Sequence, residues 1–153
     1  MKKLLICALA IFANIQPGIT YADVMRFLRE SSVERNVYDT DSPCVCYSCD
    51  LQADAANRGI PAAIVVLVFD GHEGHALVGF DTIDKGMVYI DPQADLPVRV
   101  EANQLYESLP CLEAETDCIV WSADHGKITL IGTSWNTDTS LCEMRQCPAF
   151  VLR

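Results

Sequence analysis

The chain has 153 residues, of which 11 are lysine or arginine and 21 are aspartate or glutamate, so its formal net charge at pH 7 is −10. Nucleic acids and anionic membrane surfaces are bound by clusters of lysine and arginine, and the sequence shows no such cluster. The charge therefore argues against both classes of partner and is explained most simply by solubility. The length fits one domain.

The N-terminus has the parts of a secretory signal peptide. Two lysines precede the apolar run LLICALAIFA, and Thr20 and Ala22 stand three and one positions before a plausible cleavage point. We therefore expect residues 1–22 to be a signal peptide and residues 23–153 to form one exported domain, in the periplasm, outside the cell or at its surface. Removal of two lysines and no acidic residue would leave nine basic and 21 acidic side chains, a net charge of −12. An uncleaved anchor is the alternative, although the apolar run is shorter than the roughly 20 residues that span a bilayer.

The number of cysteines is informative in an exported protein. The chain contains eight, and loss of Cys7 with the signal peptide leaves seven. An odd number outside the cytoplasm implies a bridge to another chain or one free thiol, and we favour three disulfides with one free thiol. Short polar segments separate members of two pairs, which predicts the local bridges Cys111–Cys118 and Cys142–Cys147. Bridges from Cys46 or Cys49 to the tail cysteines are the alternative.

The first predicted elements are two helices. Residues 22–30 place apolar side chains on one helical face, and the polar segment SSVERNVYDTD follows as a loop. Ser42 is a good N-cap, Pro43 suits the first helical position, and Gly59 is expected to end the second helix. Cys44 therefore lies in the first turn of that helix.

The rest of the chain predicts antiparallel strands. The apolar, β-branched run at 61–69 is typical of a strand buried on both faces. DGHEG is expected to be a turn, and Asp84-Lys85-Gly86 the turn of a hairpin. The further predicted strands are 75–82, 87–92, 97–102, 118–122 and 127–135, the last two folded about a turn at 124–126. Helices followed by antiparallel strands predict an α+β domain, with N-terminal helices packed on the sheet.

Three side chains at the junctions of these elements suggest nucleophilic catalysis. A helix N-terminus carries partial positive charge, which favours the thiolate form of a cysteine such as Cys44. A thiolate needs a base, usually histidine, and the histidine needs a carboxylate to orient its ring. His75 is expected to open one strand of the hairpin and Asp91 to close the other. The hairpin therefore predicts that residues 75 and 91 approach each other.

These segments resemble a known family. CVCYSCDLQADAANRGI resembles the nucleophile helix, and GHALVGFDTIDKGMVYIDPQ the histidine and aspartate strands, of the transglutaminase-like branch of the papain-like cysteine peptidase superfamily. The upstream residues FLRE and NVY also resemble the lead-in of small exported prokaryotic members of this branch, and the resemblance covers residues 23–101. It implies a transglutaminase-like core, a catalytic triad of Cys44, His75 and Asp91, and acyl transfer on amides.

Neighbouring residues leave alternatives open. The family usually has polar or charged residues where this chain has Cys46 and Cys49, so either could be the nucleophile in place of Cys44. Two features favour Cys44. Tyr47 is expected to pack the helix on the sheet while the Cys44 thiol faces the histidine, and the spacing from Cys44 to Gly59 matches the family pattern. The segment HEGH lacks the helical spacing of a metalloprotease motif, and we predict no metal and no cofactor.

The expected activity is a covalent, cysteine-dependent reaction on a protein or peptide amide. The backbone N–H of Cys44 and a donor from the approach loop, for which Tyr38 is our choice, would stabilise the oxyanion. Hydrolysis of the thioester would make the protein a peptidase or amidase, and attack by an amine would make it a transglutaminase. A non-catalytic, disulfide-rich binding or structural module is the alternative function. The sequence does not indicate an oligomeric state.

Overall fold

Two helices and eight strands make up the part of the chain that the computed structural model describes, namely residues 18–38, 43–108, 126–135, 142 and 149–151. A short 3-10 helix, Val33–Arg35, follows the first helix. In chain order the elements are α1 (Tyr21–Glu30), β1 (Asn36–Tyr38), α2 (Pro43–Asn57), β2 (Ala63–Phe69), β3 (His72–Thr82), β4 (Gly86–Asp91), β5 (Leu96–Arg99), β6 (Glu107–Ser108), β7 (Ile128–Ser134) and β8 (Ala149–Val151). The protein is therefore α+β, in agreement with the sequence prediction.

The first helix is fixed by a capping box. The Thr20 side chain accepts a hydrogen bond from the Asp23 N–H, and the Asp23 carboxylate accepts one from the Thr20 N–H. The residues around this cap also contact the hairpin turn, because the Ile83 N–H donates to the Ile19 carbonyl at 2.9 Å. The predicted signal-peptide boundary after Ala22 thus lies inside the first turn of α1, while residues 1–17 are outside the described residues.

The second helix has the ends that its sequence predicts. Pro43 is its first residue, where a missing N–H costs no helical hydrogen bond. At the other end Gly59 has φ +72°, and the N–H groups of Gly59 and Ile60 donate back to Ala56 and Ala55. This is a Schellman motif, in which a glycine takes the left-handed conformation that other residues disfavour. The predicted N-cap, Ser42, is outside the described residues.

Six strands form one antiparallel sheet in the order β6-β5-β4-β3-β2-β7, and β1 pairs separately with β8. The predicted hairpin between β3 and β4 is confirmed: Thr82 pairs with Gly86 at its turn and Val78 with Ile90 at its other end. The prediction that His75 opens a strand is wrong. The chain reverses over only two residues, with Phe69 paired to His72, so β3 already begins at His72.

Apolar clusters lie on both faces of the sheet. One joins the two helices to β3 and β4 and contains residues such as Phe27, Leu51 and Phe80. The other contains residues from β2, β3, β5 and β7 together with Tyr106. The prediction that the first strand is buried on both faces is wrong for two residues, because Val66 and Val68 are 37% and 38% exposed.

Other differences concern short or distant elements. The segment expected to be a loop between the helices contains the 3-10 helix and β1, which forms only by pairing with β8 near the end of the chain. The strand predicted at 97–102 ends earlier, at Arg99. The strand predicted at 118–122 is outside the described residues. In the described part of the chain, no helix combines the length and apolarity needed to cross a membrane.

Candidate active site

Cys44 is the second residue of α2 and is a free thiol. Its position in the first helical turn results from the helix start at Pro43. Burial raises the pKa of this thiol, but interactions with the His75 side chain and with the backbone N–H groups of Ala76 and Val45 outweigh burial and lower it. Each of these contacts favours negative charge on the sulfur, as does the unpaired N–H end of the helix.

His75 is the fourth residue of β3 and lies beyond the end of the β3–β4 ladder. The last pair of that ladder is Val78 with Ile90, so Asp91 lies one residue beyond it on the neighbouring strand. The structure brings the two side chains together, with Nε2 of His75 3.0 Å from Oδ2 of Asp91. The side chains are only 11% and 4% exposed, so water screens this contact poorly.

The orientation of the imidazole ring follows from that contact. Because Nε2 is committed to Asp91, Nδ1 is the ring nitrogen available to the Cys44 sulfur. The histidine therefore connects a carboxylate on one side to a thiol on the other. This is the arrangement in which an imidazole can remove a proton from a nucleophile while a carboxylate holds the ring.

Asp91 accepts hydrogen bonds at both oxygens. Besides the His75 ring, the Tyr106 hydroxyl donates to Oδ2 at 2.6 Å, and the Gln93 N–H donates to Oδ1 at 3.0 Å. Tyr106 is 1% exposed, and its ring meets that of His75 edge to face with centroids 5.4 Å apart. The carboxylate is thus buried but well supplied with donors.

The pKa values of the cluster shift in the directions that charge separation requires. Burial alone would lower the pKa of His75, but its hydrogen bonds to Asp91 and Cys44 and the charges of both groups raise it to about 9. Burial alone would raise the pKa of Cys44, yet the hydrogen bonds at its sulfur bring that pKa below its ordinary value. Burial likewise opposes ionisation of Asp91, and its three donors lower that pKa. The cluster therefore favours a thiolate beside an imidazolium and a carboxylate.

The other two cysteines of α2 are disulfide-bonded. Cys49 is bridged to Cys142 with an S–S distance of 2.04 Å, and Cys46 also takes part in a disulfide. The predicted bridge Cys142–Cys147 is therefore wrong, since helix α2 brings Cys49 to within a Cα–Cα distance of 5.8 Å of Cys142. Sequence spacing alone cannot reveal such a pairing. The predicted pair Cys111–Cys118 is outside the described residues, as is Cys147.

Tyr38 precedes helix α2, and Tyr47 lies within that helix. Tyr38 is the last residue of β1 and pairs with Ala149, and its assignment as an oxyanion donor stays a prediction. Tyr47 packs, as expected, against the apolar cluster that joins the two helices to β3 and β4, and its hydroxyl donates to the Asn36 carbonyl. Tyr47 thereby ties α2 to the start of β1.

Sequence reasoning missed two contacts of the cluster. The backbone N–H of Ala76, the residue after His75, helps to lower the pKa of Cys44. The predicted strand at 75–82 gave no indication of this contact. Tyr106 lies 15 residues after Asp91, in a segment with no periodic pattern. No local signal identifies it, because its contact with Asp91 depends on how the chain after β5 returns to the sheet.

Metal binding is not indicated by the geometry of the described residues. Among them, no group of three or more histidine, cysteine, aspartate or glutamate side chains is arranged to hold a metal ion.

Comparison with known proteins gives no relative. No protein-family model matches the chain, and neither does any curated protein or solved structure. A functional assignment therefore rests on the sequence motifs and on the geometry of the cluster formed by Cys44, His75 and Asp91.

Proposed function

We propose that the protein is an exported, cysteine-dependent acyl-transfer enzyme that acts on amide bonds of proteins or peptides, on a transglutaminase-like core. The observation that carries this proposal is the chain of contacts from the free Cys44 thiol through His75 to Asp91. A disulfide-rich structural module has no need of a free cysteine held against a buried histidine–carboxylate pair.

The reaction begins from the ion pair that the cluster favours, in which the proton of the Cys44 thiol already lies on His75. The thiolate attacks the carbonyl carbon of the amide, which forms a C–S bond and a tetrahedral oxyanion. Collapse of the oxyanion breaks the C–N bond, and His75 gives its proton to the departing amine. Asp91 stabilises the imidazolium throughout and keeps Nδ1 directed at the sulfur.

The resulting thioester is resolved by a second nucleophile. Water or an amine attacks the thioester carbonyl, His75 takes up the proton of the attacking group, and Cys44 leaves as the thiolate. Water makes the overall reaction a hydrolysis, and an amine makes it a transamidation. The backbone N–H of Cys44 and a donor near Tyr38 are the groups we propose for the oxyanion.

The proposal can be tested without knowledge of the natural substrate. An activated ester, p-nitrophenyl acetate, should acetylate Cys44 and release p-nitrophenol faster than it reacts with free cysteine at pH 7. Mass spectrometry should locate the acetyl group on Cys44, and methylamine in the solution should show whether an amine competes with water for the thioester. The Cys44→Ala variant is the control. Acetylation of Cys44 no faster than that of free cysteine would favour the non-catalytic module.

A further inference from the structure

Residues 103–105, which directly precede Tyr106, are anchored at the start of β7, the strand at the other end of the sheet order from β6. Asn103 donates its N–H to the Ile128 carbonyl at 2.7 Å, and the Ile128 N–H donates to the Gln104 carbonyl at 2.9 Å. The next residue, Leu105, forms a β-bridge with Lys127. Tyr106 therefore follows directly on a backbone segment that is held at the start of β7.

Packing then fixes the Tyr106 ring. It lies edge to face against Phe69, with centroids 6.0 Å apart, as well as against His75. Because the ring is almost fully buried, it has little freedom to turn its hydroxyl elsewhere. The 2.6 Å contact with Asp91 is thus supported by ring packing on β2 and β3 and by the backbone contacts of residues 103–105 at the start of β7.

The hydroxyl can only act as a donor in this contact. Burial, together with the charge of Asp91, raises the pKa of Tyr106 well above its ordinary value, so the phenol stays protonated. A donor at Oδ2 stabilises the ionised carboxylate and disfavours a proton on the same oxygen. The same oxygen also receives the His75 ring, so the hydroxyl bears on both the charge of Asp91 and its direction.

We propose that Tyr106 is a positioning residue, whose hydroxyl keeps Asp91 ionised and directed at Nε2 of His75. This inference rests on the proposed function. Among the described residues, the titratable groups that act on this cluster are His75 from β3, Cys44 from α2 and Tyr106 itself. Without the hydroxyl, the described residues would supply Asp91 with one donor besides the His75 ring itself, namely the Gln93 N–H.

The test compares two tyrosine-to-phenylalanine variants. Tyr106→Phe removes the hydroxyl and keeps the ring that packs on His75 and Phe69. Tyr89→Phe is the matched control, because Tyr89 is a partly buried member of the same apolar cluster and burial alone raises its pKa. Circular dichroism checks that both variants are folded.

Two measurements follow the charge and the direction of Asp91. In carboxyl-carbon NMR, the midpoint of the Asp91 titration should rise by about one pH unit in Tyr106→Phe and stay unchanged in Tyr89→Phe. Alkylation of Cys44 by iodoacetamide at pH 6.5 should slow about three-fold in Tyr106→Phe only, the fold-change that about half a pKa unit represents. In an Asp91→Asn background, the tyrosine substitution should have no further effect on the rate.

The outcomes separate this inference from the proposed function. If Cys44 of the unmodified protein reacts no faster than free cysteine, the proposed function fails. If Cys44 is reactive and slowed by His75→Ala, but Tyr106→Phe equals Tyr89→Phe in both measurements, the role of Tyr106 alone is overturned. A slower reaction in Tyr106→Phe that persists in the Asp91→Asn background would also overturn it, since the effect would not pass through Asp91.

Discussion

The bridge between Cys49 and Cys142 should contribute a large part of the stability of the fold. It joins residues 93 apart in the sequence, so it restricts a long loop of the unfolded chain. The loop-entropy relation gives about 4.6 kcal/mol for a loop of that length. Because measured losses on removal of a disulfide are usually smaller than this relation gives, we expect the double variant Cys49→Ser/Cys142→Ser to lose about 2–4 kcal/mol.

Urea unfolding followed by circular dichroism measures this loss. Removal of the bridge should also increase the m-value, because the unfolded chain becomes more expanded. Cys44→Ser is the matched control, since it also replaces a cysteine sulfur by oxygen but breaks no disulfide. Its loss of unfolding free energy should be smaller. A loss below about 1 kcal/mol in the double variant, with an unchanged m-value, would refute the loop-entropy argument.

Three further predictions concern the helix cap, the hairpin turn and the buried ion pair. In a chain that begins at Gly18 and so keeps the capping box, Thr20→Ala should cost about 1 kcal/mol in thermal or urea unfolding, and a chain that begins at Asp23 should be less stable than the unsubstituted one. Gly86→Val should cost about 1–2 kcal/mol, because φ there is +68° while its Cβ would meet nothing within 4 Å. In this variant the rate of Cys44 alkylation should fall by a larger factor than the loss of unfolding free energy alone would explain. A rate that falls only in proportion to the folded fraction would show that the hairpin is only a scaffold. Asp91→Asn should lower the unfolding free energy at pH 7 by about 3 kcal/mol. The pKa of Asp91 is lowered and that of His75 is raised to about 9, so this difference should shrink as the pH falls through the folded pKa of Asp91 and as it rises through about 9. A difference that does not change with pH would contradict the ion pair.

The elements that the sequence predicts well are those set by local residues. Pro43 and Gly59 mark the two ends of α2 because each restricts or permits a backbone conformation at its own position. The turn at Gly86 is of the same kind, and it aligns β3 with β4. The approach of His75 to Asp91 could therefore be expected from the hairpin alone, before any three-dimensional contact was known.

The features that the sequence does not predict depend on distant parts of the chain. Three residues of β1 become a strand only by pairing with β8, and Cys49 finds its partner 93 residues away. The Tyr106 hydroxyl reaches Asp91 because the chain after β5 is anchored on β7. None of these contacts leaves a periodic pattern, since each is formed by tertiary packing rather than by local propensity.

The dependence of Cys44 alkylation on pH tests the central claim most directly. Iodoacetamide reacts with the thiolate, and the helix N-terminus and the His75 imidazolium both favour that form. In the native protein, Cys44 should be alkylated rapidly well below pH of about 8.5, at which an ordinary cysteine ionises. His75→Ala should slow the reaction at pH 6–7 by about ten-fold, equivalent to one pKa unit, and Asp91→Ala should slow it less because it acts through the histidine. A native Cys44 that titrates like free cysteine, or one whose rate is unchanged in His75→Ala, would contradict the account.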